Sequence, residues 1–313
     1  MRTAFIKTLV QMASQDPDIY LIVGDLGFSV VESFKNLFPD RFINAGIAEQ
    51  NMIGVAAGLC MAEKKVFVYS IVPFVTMRCF EQIRVDLCYQ NLPVVLIGVG
   101  GGLDYGQAGS THHAIEDIAI MRALPNMTVV APANKFESEQ LLLQTKNLTG
   151  PVYFRLSNNQ ETEFYEEQEI RLGKATEIFY SEQNLIITTG NSLKLGMQIC
   201  TELKKYNIDM GLVSMHTIKS LDTEFLLKKQ KTLKSVFTIE EHSVIGGLGD
   251  AVSSFISQNF ENKILFKSFG IQDFYFHEIG SGNYLREKAG LSVNCIAKEI
   301  LQKMKFFDYN FLV

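Results

Sequence analysis

The stretch Phe42-Ile43-Asn44-Ala45-Gly46-Ile47-Ala48-Glu49-Gln50-Asn51-Met52, running on into the small-residue segment Gly54-Val55-Ala56-Ala57-Gly58, decides the fold. A short apolar strand, a break at Gly46 and an Ala/Gly-rich helix follow one another. That order sets Glu49 at a helix entrance on the carboxyl edge of a sheet, where α/β proteins hold their ligands. A glutamate in a first helical turn has an ordinary use, because its charge complements the helix dipole. It also has a chemical one. A carboxyl among apolar neighbours is held partly protonated, and such a group can pass a proton to a bound heterocycle.

Outward from this segment the chain alternates β-rich runs with helix-length stretches. Strands are expected at Ile19 to Val23, Val66 to Ile71, Val94 to Val99, Met127 to Ala131 and Pro151 to Leu156. Helices are expected at Ser33 to Leu37, Ala48 to Ala62, Thr76 to Gln90, Ile115 to Leu124 and Lys135 to Lys146. A further helix opens the chain, with Phe5, Leu9 and Met12 at helical spacing and Thr3 as its cap. This βα alternation predicts a mostly parallel, doubly wound sheet covered on both faces. From Asn158 to Glu169 the sequence turns polar and acidic without apolar periodicity, which reads as a linker. A second alternation follows, with strands at Leu185 to Thr189, Asp209 to Met215, Ser235 to Ile239 and Ile264 to Phe269. Its helices are Ser192 to Lys205, Asp222 to Lys229, Leu248 to Asn259 and one near Ser292 to Lys303. The expected fold class is therefore α/β with two doubly wound domains, residues 1–165 and 174–313.

Composition sets outer limits. The 313 residues are 47% hydrophobic and 20% charged with only 7 prolines, which indicates a globular chain rather than a disordered or fibrous one. A net charge of -5 and a pI near 5.6 leave no basic footprint, so no nucleic acid is expected as a partner. No apolar run approaches the ~18 residues of a membrane span, and the amino terminus does not read as a signal peptide. The 5 cysteines show neither zinc nor disulfide spacing, as suits a cytoplasmic protein. Gly246-Gly247-Leu248-Gly249 follows an expected strand, but it lacks the spacing of a dinucleotide or P-loop site. Tight strand-to-helix packing accounts for it better.

The Glu49 segment resembles the pyrimidine-binding domain of the transketolase family, whose members carry a glutamate in a similar GIAEQNM-type sequence. Three further blocks recur in that family's order: Phe74-Val75-Thr76-Met77-Arg78-Cys79-Phe80-Glu81-Gln82-Ile83-Arg84, Gly109-Ser110-Thr111-His112-His113 and Glu116 to Met127. The glycine-rich segment after Glu240-Glu241-His242 resembles the family's C-terminal domain, so the likeness covers nearly the whole chain.

The resemblance implies roles for individual residues. Glu49 would face the aminopyrimidine ring of thiamine diphosphate, and Phe74 would stack on it, one phenylalanine among 23 and a near neighbour of Phe80. Asp25, at a strand end, would lie near the cofactor, and Ser29 would contact a sugar phosphate; a plain turn with an Asp cap explains both equally well. Arg78 is carried over as a cofactor contact, with a helix-surface charge as its other reading, as for Arg84. His112 would donate to a substrate oxygen that becomes anionic, with His113 as a supporting or substrate contact. Arg155 would grip the sugar phosphate through its guanidinium fork, a structural ion pair being the alternative.

Two departures from the family's fused enzymes point to altered substrate recognition. Their acidic pair before the GPTH-like sequence reads Gln107-Ala108 here, and a phosphate-contacting histidine falls near Gly100. A missing Asp removes a hydrogen-bond partner for a donor hydroxyl, which suits a branched, deoxy or otherwise unusual sugar phosphate. The family's GDG motif for Mg2+ and diphosphate is also absent, since neither Gly24-Asp25-Leu26 nor Gly249-Asp250-Ala251 fits it. No metal ligand is therefore assigned to this chain. A separate diphosphate-binding subunit is expected to hold thiamine diphosphate and Mg2+, in an α2β2 assembly that self-associates through the pyrimidine and C-terminal domains, as in split transketolases. The implied activity is transfer of a two-carbon ketol unit between sugar phosphates. The β subunit of a 2-oxo acid dehydrogenase, a 1-deoxyxylulose 5-phosphate synthase and a non-catalytic subunit of the same fold are the competing readings.

Overall fold

The computed structural model describes residues 1–157 and 169–311, with side chains as far as residue 307. The strands of the first half are β1 (Ile19–Val23), β2 (Phe42–Asn44), β3 (Lys65–Ile71), β4 (Val95–Val99), β5 (Thr128–Val130) and β6 (Val152–Leu156). Those of the second are β7 (Thr176–Phe179), β8 (Asn184–Thr188), β9 (Gly211–Ser214), β10 (Thr217–Lys219), β11 (Ser235–Ser243) and β12 (Leu265–Ile271). They form a seven-stranded sheet in the order β10-β5-β6-β4-β3-β1-β2 and a five-stranded sheet in the order β12-β11-β8-β9-β7. Only β10 on β5 and β7 on β9 pair antiparallel, each at a sheet edge. The protein is thus mixed α/β with two parallel-dominated sheets, as the βα alternation predicts.

Parallel neighbours require crossovers, and helices supply them. The helices of the first half are α1 (Arg2–Gln15), α2 (Glu32–Leu37), α3 (Glu49–Met61), the short α4 (Val72–Val75) and α5 (Phe80–Gln82), α6 (Asp117–Ala123) and α7 (Lys135–Thr145). In the second they are α8 (Ser192–Lys204), α9 (Thr223–Lys229), α10 (Leu248–Asn259), α11 (Gly282–Lys288) and α12 (Val293–Phe311). Phe5 and Leu9 of α1 with Leu141 and Leu142 of α7 cover one face of the first sheet. Met52, Ile53 and Ala56 of α3 with Ile118 and Met121 of α6 cover the other. This second cluster continues without a break into Leu185, Val213, Val236 and Leu248. The two halves therefore share an apolar core.

Several expectations need correction. The helix expected over Thr76 to Gln90 is instead a turn that follows α4, then α5 and a π-helical stretch, Ile83–Tyr89. The Thr76 hydroxyl donates to Val72 O at 2.7 Å, a side-chain bond back onto the previous turn that competes with helix propagation. Thr3 does not cap α1, which begins at Arg2 with no side-chain cap. The strands β7 and β10 and the helix α11 are additions; β10 is three residues long and owes its pairing to tertiary contact. The linker expected from Asn158 to Glu169 lies outside the described residues except for Glu169.

The glycine segment 246–249 receives the chain's own carboxylate. Glu240 is buried and accepts from Leu248 N at 2.7 Å and Gly249 N at 2.8 Å, at the start of α10. A Cβ on Gly247 would stand 2.0 Å from Glu240 Oε2, so glycine is what lets helix and strand approach. Burial pushes the Glu240 carboxyl up to about 7 even with both amides bound.

Candidate active site

Glu49 begins α3 directly after the Gly46 break, where φ is +71°. Its side chain is only 2% exposed and its Oε2 accepts from Arg78 Nη1 at 2.8 Å, whereas Arg78 itself is 44% exposed. The break after α4 explains how Arg78 reaches it. Residues 77–79 form a turn, so Arg78 folds back over Phe74 with its guanidinium carbon 4.3 Å from the ring centroid. Cation and ring attract electrostatically in this geometry. Gln50 Nε2 donates to Arg78 O at 3.2 Å and fixes the same turn against α3. Behind Glu49, burial and the Glu49 charge push the Cys79 thiol up to about 12, which keeps it an inert neutral group.

His112 completes the cluster from the loop between β4 and α6. Its ring stands edge-on to Phe74 at 5.2 Å between centroids and to Tyr105 at 6.3 Å. Thr111 Oγ1 lies 2.9 Å from His112 Nδ1. When that hydroxyl donates, the ring proton resides on Nε2, which becomes the available donor. Glu49, Arg78, Phe74 and His112 thus form one chain of contacts at the edge of the first sheet.

The other expected residues lie elsewhere. Asp25, in left-handed conformation at φ +53°, exchanges two hydrogen bonds with Asn44: its amide donates to Asn44 Oδ1 at 3.0 Å, and Asn44 Nδ2 donates to Asp25 Oδ1 at 2.9 Å. Gly46 N donates to the same Asn44 oxygen. Asn44 therefore ties the end of β1 to the turn that delivers Glu49. Sequence reasoning missed it, although an Asn beside Ala-Gly at a strand end is a turn signal. Ser29, also left-handed at φ +63°, lines a cavity of about 550 Å³ with Thr3, Glu32 and Ser33. That cavity does not include the Glu49 cluster.

Arg155 shows the geometry of its alternative reading, an ion pair. The resemblance gave its guanidinium to a phosphate, but Arg155 is buried and already bound. Nε donates to Asp117 Oδ2 at 2.7 Å, and Nη2 donates to Ala114 O at 2.9 Å and Glu241 O at 3.1 Å. Tyr153 OH closes the set by donating to Asp117 Oδ2 at 2.6 Å. A buried arginine held this way is a structural ion pair. His113 turns from the cluster as well. It is buried against Phe276, with Nε2 3.4 Å from Gly106 O, and burial lowers its pKa, which favours the neutral ring.

Gly100 admits no side chain here. Its φ is +83° and a Cβ would meet the Tyr105 ring at 2.1 Å. Tyr105 fills that space, a packing no single position in the sequence reveals. Gln107 and Ala108 are exposed in a single 3₁₀ turn, Gly106–Ala108.

A carboxylate, an aromatic ring and a loop imidazole are gathered at one strand edge, over an apolar core shared with a second parallel-dominated sheet, in a two-unit α/β chain. Family models described as "Transketolase, pyrimidine binding domain" and "Transketolase, C-terminal domain" match residues 1–161 and 173–296. The chain belongs to the transketolase family. It is 37% identical to a putative transketolase C-terminal section of Methanocaldococcus jannaschii, over 97% of this chain and 96% of that protein. It is 35% identical to one subunit of an apulose-4-phosphate transketolase of Phocaeicola vulgatus, over 82% of this chain and 84% of that one. A solved split-gene transketolase, described as an inactive β4 tetramer, superposes with a TM-score of 0.87 at 33% identity, covering 97% of each chain. No helix among the described residues is long and apolar enough to cross a membrane.

Proposed function

We propose that this chain is the pyrimidine-side subunit of a split, thiamine diphosphate-dependent transketolase that moves a two-carbon ketol unit between sugar phosphates. The observation that carries the proposal is the contact chain Glu49–Arg78–Phe74–His112 at the carboxyl edge of the first sheet. The residues fit the cofactor's pyrimidine in kind: a buried carboxylate at a helix entrance, an aromatic face and open backbone at Gly46, whose Cβ would meet nothing within 4 Å. The diphosphate and its Mg2+ are assigned to a separate subunit, and two copies of each chain form the assembly. One relative is named as a C-terminal section and another as a transketolase subunit, which supports a two-chain enzyme.

When bound, thiamine diphosphate would supply the nucleophilic carbon that ketol transfer needs. Glu49 holds and moves the proton at the pyrimidine ring nitrogen. Phe74 offers the ring a flat apolar face at small entropic cost, and Arg78 balances the Glu49 charge until the ring takes that place. His112 Nε2 donates to the substrate oxygen on which charge develops. Asp25, through Asn44, supports the turn that delivers Glu49. With Arg155 committed to the interior, phosphate binding falls to other groups, and the exposed Gln107-Ala108 turn leaves donor selectivity unlike that of the fused enzymes.

The test is a donor screen on the complex purified from its native host. Phosphorylated ketoses should be consumed in the presence of an aldose phosphate acceptor. Turnover of pyruvate-like acids instead would make the chain the β subunit of a 2-oxo acid dehydrogenase, and no turnover with any donor would leave a non-catalytic subunit.

A further inference from the structure

The loop from Gly100 to His113 carries His112, yet its shape is set from the second half of the chain. Leu103 N donates to Glu241 Oε1 at 2.6 Å. Gly102, at φ +68°, passes so close that a Cβ would stand 2.6 Å from the Glu241 side chain. Arg286 then grips both: Nε to Glu241 Oε2 at 2.6 Å, and Nη2 to Asp104 Oδ1 at 2.9 Å. Asn191 Nδ2 donates to Glu241 Oε2 at 2.6 Å, and Ser157 Oγ to Asp104 Oδ2 at 2.6 Å. Further along, a Cβ on Gly106 would collide with Gly280 O at 2.6 Å. The stretch held between these points contains Tyr105, whose ring faces His112.

We infer that Glu241 and Arg286 are positioning residues that hold the 100–113 loop, and through Asp104 and Tyr105 set where His112 meets the substrate. The inference rests on the proposed ketol-transfer site. The two halves already share an apolar core, so this buried charged network is not needed merely to join them. Buried ion pairs contribute little net stability but fix geometry, and a misplacement near 1 Å can cost about 100-fold in rate. Glu49 and Phe74 are carried by α3 and α4, and Phe74 meets the loop through the His112 ring. The network therefore acts first on His112, while Glu49 and its Arg78 partner keep their own supports in α3 and the 77–79 turn.

The experiment compares wild type with Arg286→Met, Arg286→Lys and Glu241→Gln in the native two-chain complex. Arg286→Met should lower kcat/KM for a ketose phosphate donor by about tenfold or more while thiamine diphosphate affinity stays within about twofold. Arg286→Lys should recover part of the loss. Glu241→Gln keeps an acceptor for Leu103 N and should lie between. Unchanged kcat/KM with a lowered Tm, or parallel loss of cofactor affinity, would overturn the inference and leave a structural network. If the wild-type complex transfers no ketol unit, the functional reading fails by itself. Hydrogen exchange in the complex then decides the loop: faster exchange confined to residues 100–113 in Arg286→Met supports the latch, and unchanged exchange there refutes it.

Discussion

Two carboxylate–arginine pairs stand in the first half of this chain, and they are built for opposite ends. Glu49–Arg78 joins a buried acid to a base that is 44% exposed, whereas Asp117–Arg155 joins groups 0% and 4% exposed. In the interior pair the guanidinium is fixed by Asp117 and two backbone carbonyls, and the acid also holds Tyr153. In the edge pair the Arg78 guanidinium donates to Glu49 and rests on an aromatic face. A charge saturated by the fold supports shape. One held by a displaceable partner at the surface remains available to a ligand.

Breaking the edge pair at its acid should have the largest effect. Glu49→Gln preserves volume and helix start but cannot cycle a proton, so ketol transfer in the complex should fall by about 100- to 10,000-fold, with Tm and assembly unchanged. Loss of the same size in Arg155→Met at unchanged stability would erase the distinction between the pairs. Arg155→Met should instead strand the Asp117 carboxylate and cost about 3–5 kcal/mol of stability, read by urea unfolding of the chain. Adding Asp117→Asn should return part of that loss, because it removes the stranded charge.

The interior region should also show itself through pH. His242 is buried beside this pair; Ala119 N donates to its Nε2 at 3.3 Å and its Nδ1 lies 2.8 Å from Ser243 O. Burial holds its pKa at about 4 against the usual 6.5. The unfolded chain takes up a proton below 6.5 while the folded chain resists until about 4. The stabilisation is therefore complete above pH 6.5 and fades as pH falls toward 4, by about 3 kcal/mol in all. His242→Gln should flatten the fall in Tm over that window relative to wild type, and equal slopes would remove His242 from the account. The smallest effect is expected from Arg78→Ala. Glu49 keeps its helix N-terminus and water can replace the half-exposed guanidinium, so the loss of stability should be about 1 kcal/mol or less.

The contrast between the pairs also bears on what the sequence could convey. Strand and helix alternation was legible because apolar periodicity is local, and it yields both sheets and most helices. The Glu49 turn was legible because Gly46 and the small residues of α3 mark it. Arg155 was not, since whether a cation is free depends on Asp117 and Glu241, which lie 38 and 86 residues away. The broken helix after Thr76 turns on one hydroxyl bond, and Tyr105 fills the space above Gly100 only through a loop held by Glu241 and Arg286. The first is a single local bond and the second a tertiary fact, and neither has a periodic signature.

The central claim is that this chain supplies half of a thiamine diphosphate site. The most direct measurement is calorimetric titration of thiamine diphosphate with Mg2+ into the chain alone and into the complex captured with it from its native host. The account predicts a second chain in equal amount and binding at least about 100-fold tighter in the complex, about 2.7 kcal/mol. Tight, stoichiometric binding by the chain alone, or capture with no second chain, would contradict it.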